Sequence, residues 1–191
     1  MKHDNFDTIR NRRTVKPALM SGGIIADDTI TQLLEMADWA PTHGHTEPWR
    51  FIVYRHEALQ EFCQAHADLY KQITPEEKFL QATYEKLQKQ GSQASHLIIT
   101  YMKRGDNPKI PELEEICAVA CAIQNILLAA EAQDLAVLWS TGGLTYNPAL
   151  KNFLGLAESD KVLGLLYLGL TDEPKKQGRR TVPLAAKTTW K

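Results

Sequence analysis

Charge of one sign is missing from this sequence, in which 22 Lys and Arg stand against 23 Asp and Glu. A chain so balanced has no global field for gathering nucleic acid or an anionic membrane surface, so any anion site must be local. Long apolar runs are missing too; none approaches the ~20 residues of a membrane-spanning helix. The opening MKHDNFDTIRNRR is charged where a secretory signal would be apolar. A cytoplasmic protein, with neither nucleic acid nor membrane as partner, is the expectation. Cysteine is scarce, with an odd three in all. Cys117 and Cys121 lie four apart on one face of a strongly helical stretch, but no His or Cys pair at ligand spacing completes a metal site, so they read as small buried apolar residues. Three motifs are absent as well: GxGxxG, GxxxxGK[ST] and GxSxG. A nicotinamide-binding half, a nucleotide triphosphatase and a Ser-nucleophile hydrolase therefore have no support.

What is present is one globular domain. At 191 residues, 43% hydrophobic and 24% charged, the chain suits a single domain over 1–191 and excludes a disordered, collagen-like or coiled-coil polymer. Phe6 and Ile9 predict a short amphipathic helix. Asp27 or Asp28 can cap a second helix, carried by Ile30, Leu33, Leu34 and Ala37 and closed by Pro41. PTHGHTEP reads as a loop, WRFIVY (49–54) as a strand and 57–72 as a helix. Residues 75–90 are charged and suit a peripheral helix over a pocket. HLIITYM (96–102) predicts a buried strand, and 112–133, containing ICAVACAIQNILLAA, a central helix buried on most sides. Leu135–Trp139 and Val162–Leu170 predict two further strands, with a short helix at Pro148–Phe153 between them. Helices and strands do not alternate regularly enough for a doubly wound parallel sheet, so the class is α+β.

Two kinds of side chain stand out chemically. Arg12 and Arg13 follow the first helix, and Lys175, Lys176, Arg179 and Arg180 crowd the proline-punctuated tail. Guanidinium forks from two distant segments can converge on one phosphate without a phosphate loop. His43-Gly44-His45 offers two imidazoles, but Thr42, Thr46 and Glu47 are a poor set to close a metal site. Hydrogen bonding or packing against a bound ring suits these histidines better, and no metal is expected.

Taken in order, NRRTVK (11–16), ADWAPTHGHTEPWRF (37–51), AIQNILLAAEAQDL (122–135), AVLWSTGG (136–143) and VLGLLYLG (162–169) resemble the FMN-dependent nitroreductase family, in particular its smaller branch. The most specific parts are the R-R-[ST]-x-[RK] opening and a helix ending in AP followed by a short polar loop and PWRF. The resemblance implies a three-layer α/β/α sandwich with a mainly antiparallel central sheet. It also implies an intertwined homodimer with FMN at the subunit interface. By position, Arg12, Arg13 and Thr14 would meet the ribityl and phosphate, and Lys16 the polar edge of the flavin. Trp139, Ser140 and Thr141 would run along the isoalloxazine, while Arg179 and Arg180 would close on the phosphate. Trp39, Thr42, His43 and His45 would come from the partner chain. The sequence departs from the family's commonest loop, PSAGNxQPW, by carrying His45 for Asn and Glu47 for Gln, positions that shape the substrate face.

Such a flavin would take hydride at N5 from NAD(P)H and pass electrons to a small acceptor on the same open face, in a ping-pong cycle. No side-chain constellation here does hard chemistry unaided, and no catalytic acid from the protein is required. Lys16 or Arg12 would stabilise the reduced, anionic flavin. The acceptors implied are nitroaromatics, quinones and related compounds. Enone reduction, dehalogenation or flavin fragmentation differ from these by a few pocket residues, and a flavin-binding sensor or carrier without turnover is the alternative from another class.

Overall fold

The computed structural model describes residues 5–191. Residues 1–4, which open the charged stretch read above, lie outside the described part. Helices α1 (Asn5–Asn11) and α2 (Asp27–Asp38) precede strand β1 (Trp49–Arg55), and α3 (His56–Ile73) and α4 (Gln81–Lys89) precede β2 (His96–Met102). Then come α5 (Glu112–Ala132), β3 (Ala136–Ser140), α6 (Pro148–Phe153) and β4 (Lys161–Gly169). The strands form one sheet in the order β1-β2-β4-β3, with every pairing antiparallel. β2 and β4 are central and covered on both faces. That is why they read as unbroken apolar runs and not as alternating ones.

Alternation along the strands divides the core into two layers. Ile98 and Met102 of β2 and Leu166 and Leu168 of β4 pack with Ile30, Leu33 and Ala37 of α2 and with Ala118, Val119, Ala122, Ile123 and Ile126 of α5. Leu97, Ile99, Leu165 and Tyr167 point the other way, onto Leu59, Phe62 and Cys63 of α3 and Leu150 of α6. The molecule is thus an α/β/α sandwich, with α4 laid on α3 and its Leu87 buried.

Several expectations need correction. Cys117 and Cys121 are exposed, and the buried thiol is Cys63, whose ionisation burial opposes. The reason is that α5 is buried on one side and not on most sides: Leu113, Cys117, Cys121 and Gln124 form a surface stripe opposite the Ala118–Ala122 stripe. At 21 residues α5 is long and apolar enough to cross a membrane by length and composition, but its apolar side is spent on the sheet. The N-cap of α2 is Ala26, so neither Asp27 nor Asp28 caps it. Instead the Asp27 carboxylate meets Arg55 and the buried His96, tying α2 to the end of β1 and the start of β2. α2 ends at Asp38, three residues before Pro41, because its last turn closes through the amides of Trp39 and Ala40. Phe6 and Ile9 of α1 are exposed.

Candidate functional site

The segment after α1 is held flat against the sheet by one backbone bond, Val15 N–H to Val137 C=O at 3.0 Å. This places Lys16 beside the end of β3. Beyond Ser140 the chain leaves the sheet through Thr141, Gly142 and Gly143, and the Gly142 carbonyl accepts from the Thr145 hydroxyl at 2.7 Å. Gly143 has φ +63°, and a Cβ there would press on Leu87 and the His66 ring, so only glycine fits without displacement. Lys16, Ser140, Gly142, Gly143 and α4 together line a groove of 780 Å³. Among the described residues the amides of Thr141, Gly142 and Gly143 donate to no protein acceptor. Two of these residues, Gly142 and Gly143, line the groove with Lys16, an arrangement that suits a ligand edge rich in acceptors.

The tail comes back to the same end of the molecule. Arg13 Nε donates to the Lys176 carbonyl at 3.0 Å, and its Nη1 to the carbonyls of Arg10 and Arg12 at 2.7 Å. The guanidinium fills the space over Gly178, where a Cβ would collide with it. Arg13 is therefore committed to backbone acceptors, whereas the half-buried Arg12 side chain has no recorded partner among the described residues. Thr14 is exposed. Arg179 and Arg180 are exposed beside this junction, with Arg180 Nη1 on the Arg179 carbonyl at 3.0 Å. Lys175 is neutralised by Glu131 and Asp134 at 2.8 and 2.9 Å, and these acidic partners hold its ammonium above its ordinary range.

Trp139 and Ser140 face opposite sides of the sheet, so they do not share the groove. Trp139 Nε1 donates to the Leu163 carbonyl at 3.0 Å, and its ring lies over Gly164, towards Ile116 and Ala120 of α5. The other predicted group is further away. Trp39 is 83% exposed at the end of α2. Thr42 Oγ1 pairs with Thr46 Oγ1 at 3.0 Å, and His43 Nδ1 with Glu114 Oε2 at 2.5 Å. Gly44, His45 and Glu47 all have positive φ, at 59°, 54° and 41°, a concentration of left-handed backbone typical of functional loops. Seventeen residues of helix separate Glu114, at this loop, from Glu131, at the tail: about 25 Å at 1.5 Å per residue. The His43 loop and the tail thus lie at opposite ends of α5, while Trp139 faces Ile116 and Ala120, and Trp39 follows Met36, whose carbonyl accepts from Asn125 further along the helix.

Sequence reasoning missed the free amides, the part played by Glu114, and His66. Gly142-Gly143 was visible as a pair but matched no motif. His66 continues the apolar stripe of α3 and carried no signal of its own.

A four-stranded antiparallel sheet between helical layers, with an amide-lined groove at the end of one strand, defines an α+β sandwich built to bind a small ligand at its edge. The chain belongs to the Nitroreductase family, whose model matches residues 9–170. It is 26% identical over 166 residues to "Putative NAD(P)H nitroreductase YdjA" of Escherichia coli (strain K12), covering 87% of each chain. A nitroreductase-like family protein from Bacillus cereus superposes with TM-score 0.82 at 25% identity, over 100% of this chain and 97% of that one. The FMN-dependent nitroreductase NfnB from Mycobacterium smegmatis, in complex with NADPH, shares the fold at TM-score 0.73 and 17% identity over 96% of each chain.

Proposed function

We propose that this protein is a homodimeric FMN oxidoreductase that takes electrons from NAD(P)H and reduces small acceptors of the nitroaromatic or quinone kind. The observation that carries the reading is the groove in which Gly142 and Gly143, whose amides are free, lie beside Lys16. Those groups fit FMN: the amides would donate to the acceptor atoms of the isoalloxazine, and the lysine would sit at its polar edge. The free guanidinium of Arg12 would hold the phosphate together with Arg179 or Arg180, while Arg13 fixes the tail in place for them. FMN supplies two-electron chemistry, accepting hydride and passing electrons on. The chain's own task is to bind, orient and electrostatically support it: Lys16 places a positive charge where negative charge develops. The names of relatives and neighbours, which include NAD(P)H nitroreductase and FMN-dependent nitroreductase, support the reading.

The separation of the His43 loop from the basic tail along α5 supports the homodimer. His43 lies about 25 Å along α5 from the basic tail of its own chain, and a second copy packed on the exposed α5 stripe would bring its own Trp39, Thr42, His43 and His45 across. The test is the visible spectrum of purified protein supplied with FMN, before and after NADH or NADPH under nitrogen, with the mass in solution measured alongside. A bound flavin spectrum that bleaches, on a dimer, is the expected result. A flavin that persists would turn the reading towards a carrier, and a protein that takes up no FMN would overturn it.

A further inference from the structure

His66 is used by none of this chemistry, yet it lies directly behind the groove. It belongs to the buried stripe of α3, with Leu59, Phe62, Cys63 and Ala67, and is 2% exposed. An apolar side chain would serve that stripe. Instead, the Leu144 amide donates to His66 Nε2 at 3.2 Å, and the ring lies against Gly143. A ring that accepts at Nε2 carries its proton on Nδ1, and that buried N–H has no hydrogen-bond partner. One nitrogen thus goes unsatisfied while the other holds the turn, an arrangement that packing alone does not explain. Successive amides divide accordingly: those of Gly142 and Gly143, which line the groove, are free, and that of Leu144 is locked to α3.

We infer that His66 is a positioning residue for flavin binding: as a neutral acceptor it pegs the Gly142–Leu144 turn to α3 and so keeps the amides of Gly142 and Gly143 available to the cofactor. The inference rests on the FMN reading of the groove. Burial without charged neighbours pushes the imidazole down to about 4, so the acceptor state holds through the physiological range.

The experiment compares the wild-type protein with His66→Leu, which has no acceptor, and His66→Gln, whose Oε1 can take the place of Nε2. Nitrogen NMR of the wild-type ring should show the proton on Nδ1; a proton on Nε2 overturns the inference with no variant needed. Amide exchange at Leu144, referred to that at Leu165 in β4, should quicken about tenfold in His66→Leu, and FMN affinity by fluorescence titration should fall about tenfold, the scale of one net hydrogen bond. His66→Gln should restore both to within about threefold. Unchanged exchange, or quicker exchange with unchanged FMN affinity, overturns the inference. If the wild-type protein binds no FMN, it is the functional reading that fails, and the ring tautomer and Leu144 exchange still decide whether His66 holds the turn.

Discussion

Acidification should weaken this fold through His66. The buried imidazole titrates at about 4 in the native protein, against 6.5 for an ordinary histidine, and desolvation is the whole cause. Between those values the unfolded chain binds a proton that the native chain refuses. Stability is therefore full above about pH 6.5 and falls as the pH drops towards 4. At about 1.4 kcal/mol per tenfold difference in proton affinity, the loss reaches about 3 kcal/mol, a large part of the roughly 5 to 15 kcal/mol that holds a domain together. His96 shifts in the same direction, through burial first and then its electrostatic contact with His56 and Arg55, so the raw pH profile is not due to His66 alone. Urea unfolding of the wild type and His66→Gln at pH 7, 6, 5 and 4, at fixed protein concentration, isolates it. Relative to the variant, the wild type should lose about 3 kcal/mol across that range. A difference between the two proteins that stays constant within about 0.5 kcal/mol would refute the argument.

Arg12→Ala should weaken FMN retention by about 1.5 to 3 kcal/mol, the worth of a charge-assisted hydrogen bond, as read by fluorescence titration. Arg13→Ala should do so as well while loosening the tail at Lys176, seen as faster proteolysis after residue 176. Gly143→Ala forces a side chain into φ +63° against Leu87 and His66 and should cost about 1 to 3 kcal/mol in chemical unfolding. Arg104 pairs with Glu115, which is 1% exposed, so Arg104→Ala should destabilise by about 3 to 5 kcal/mol; an unchanged urea midpoint would show that the pair does not hold the fold.

Strand and helix positions were legible wherever burial was two-sided or periodicity strong. HLIITYM and VLGLLYLGL could be read as central strands because both faces of the sheet are covered, and Leu59, Phe62 and Cys63 marked α3 because one stripe meets the sheet. The exposure of Cys117 and Cys121 was not legible. A helix that buries one face in its own core and presents another apolar stripe to the surface has the same composition as one buried all round. The site was legible in the same uneven way. Charged side chains such as Arg12 and Lys16 announce themselves, whereas the groove's donors are backbone amides, which every residue has. What distinguishes the amides of Thr141, Gly142 and Gly143 is that nothing in the fold accepts them. That depends on a turn held from behind by His66, 78 positions back along the chain. The separation along α5 raises the same difficulty at larger scale, since the basic tail and His43 would serve one cofactor across the two chains of the proposed dimer. A pattern read along one chain gathers such residues into one set, whereas the fold holds the His43 loop and the tail about 25 Å apart along α5.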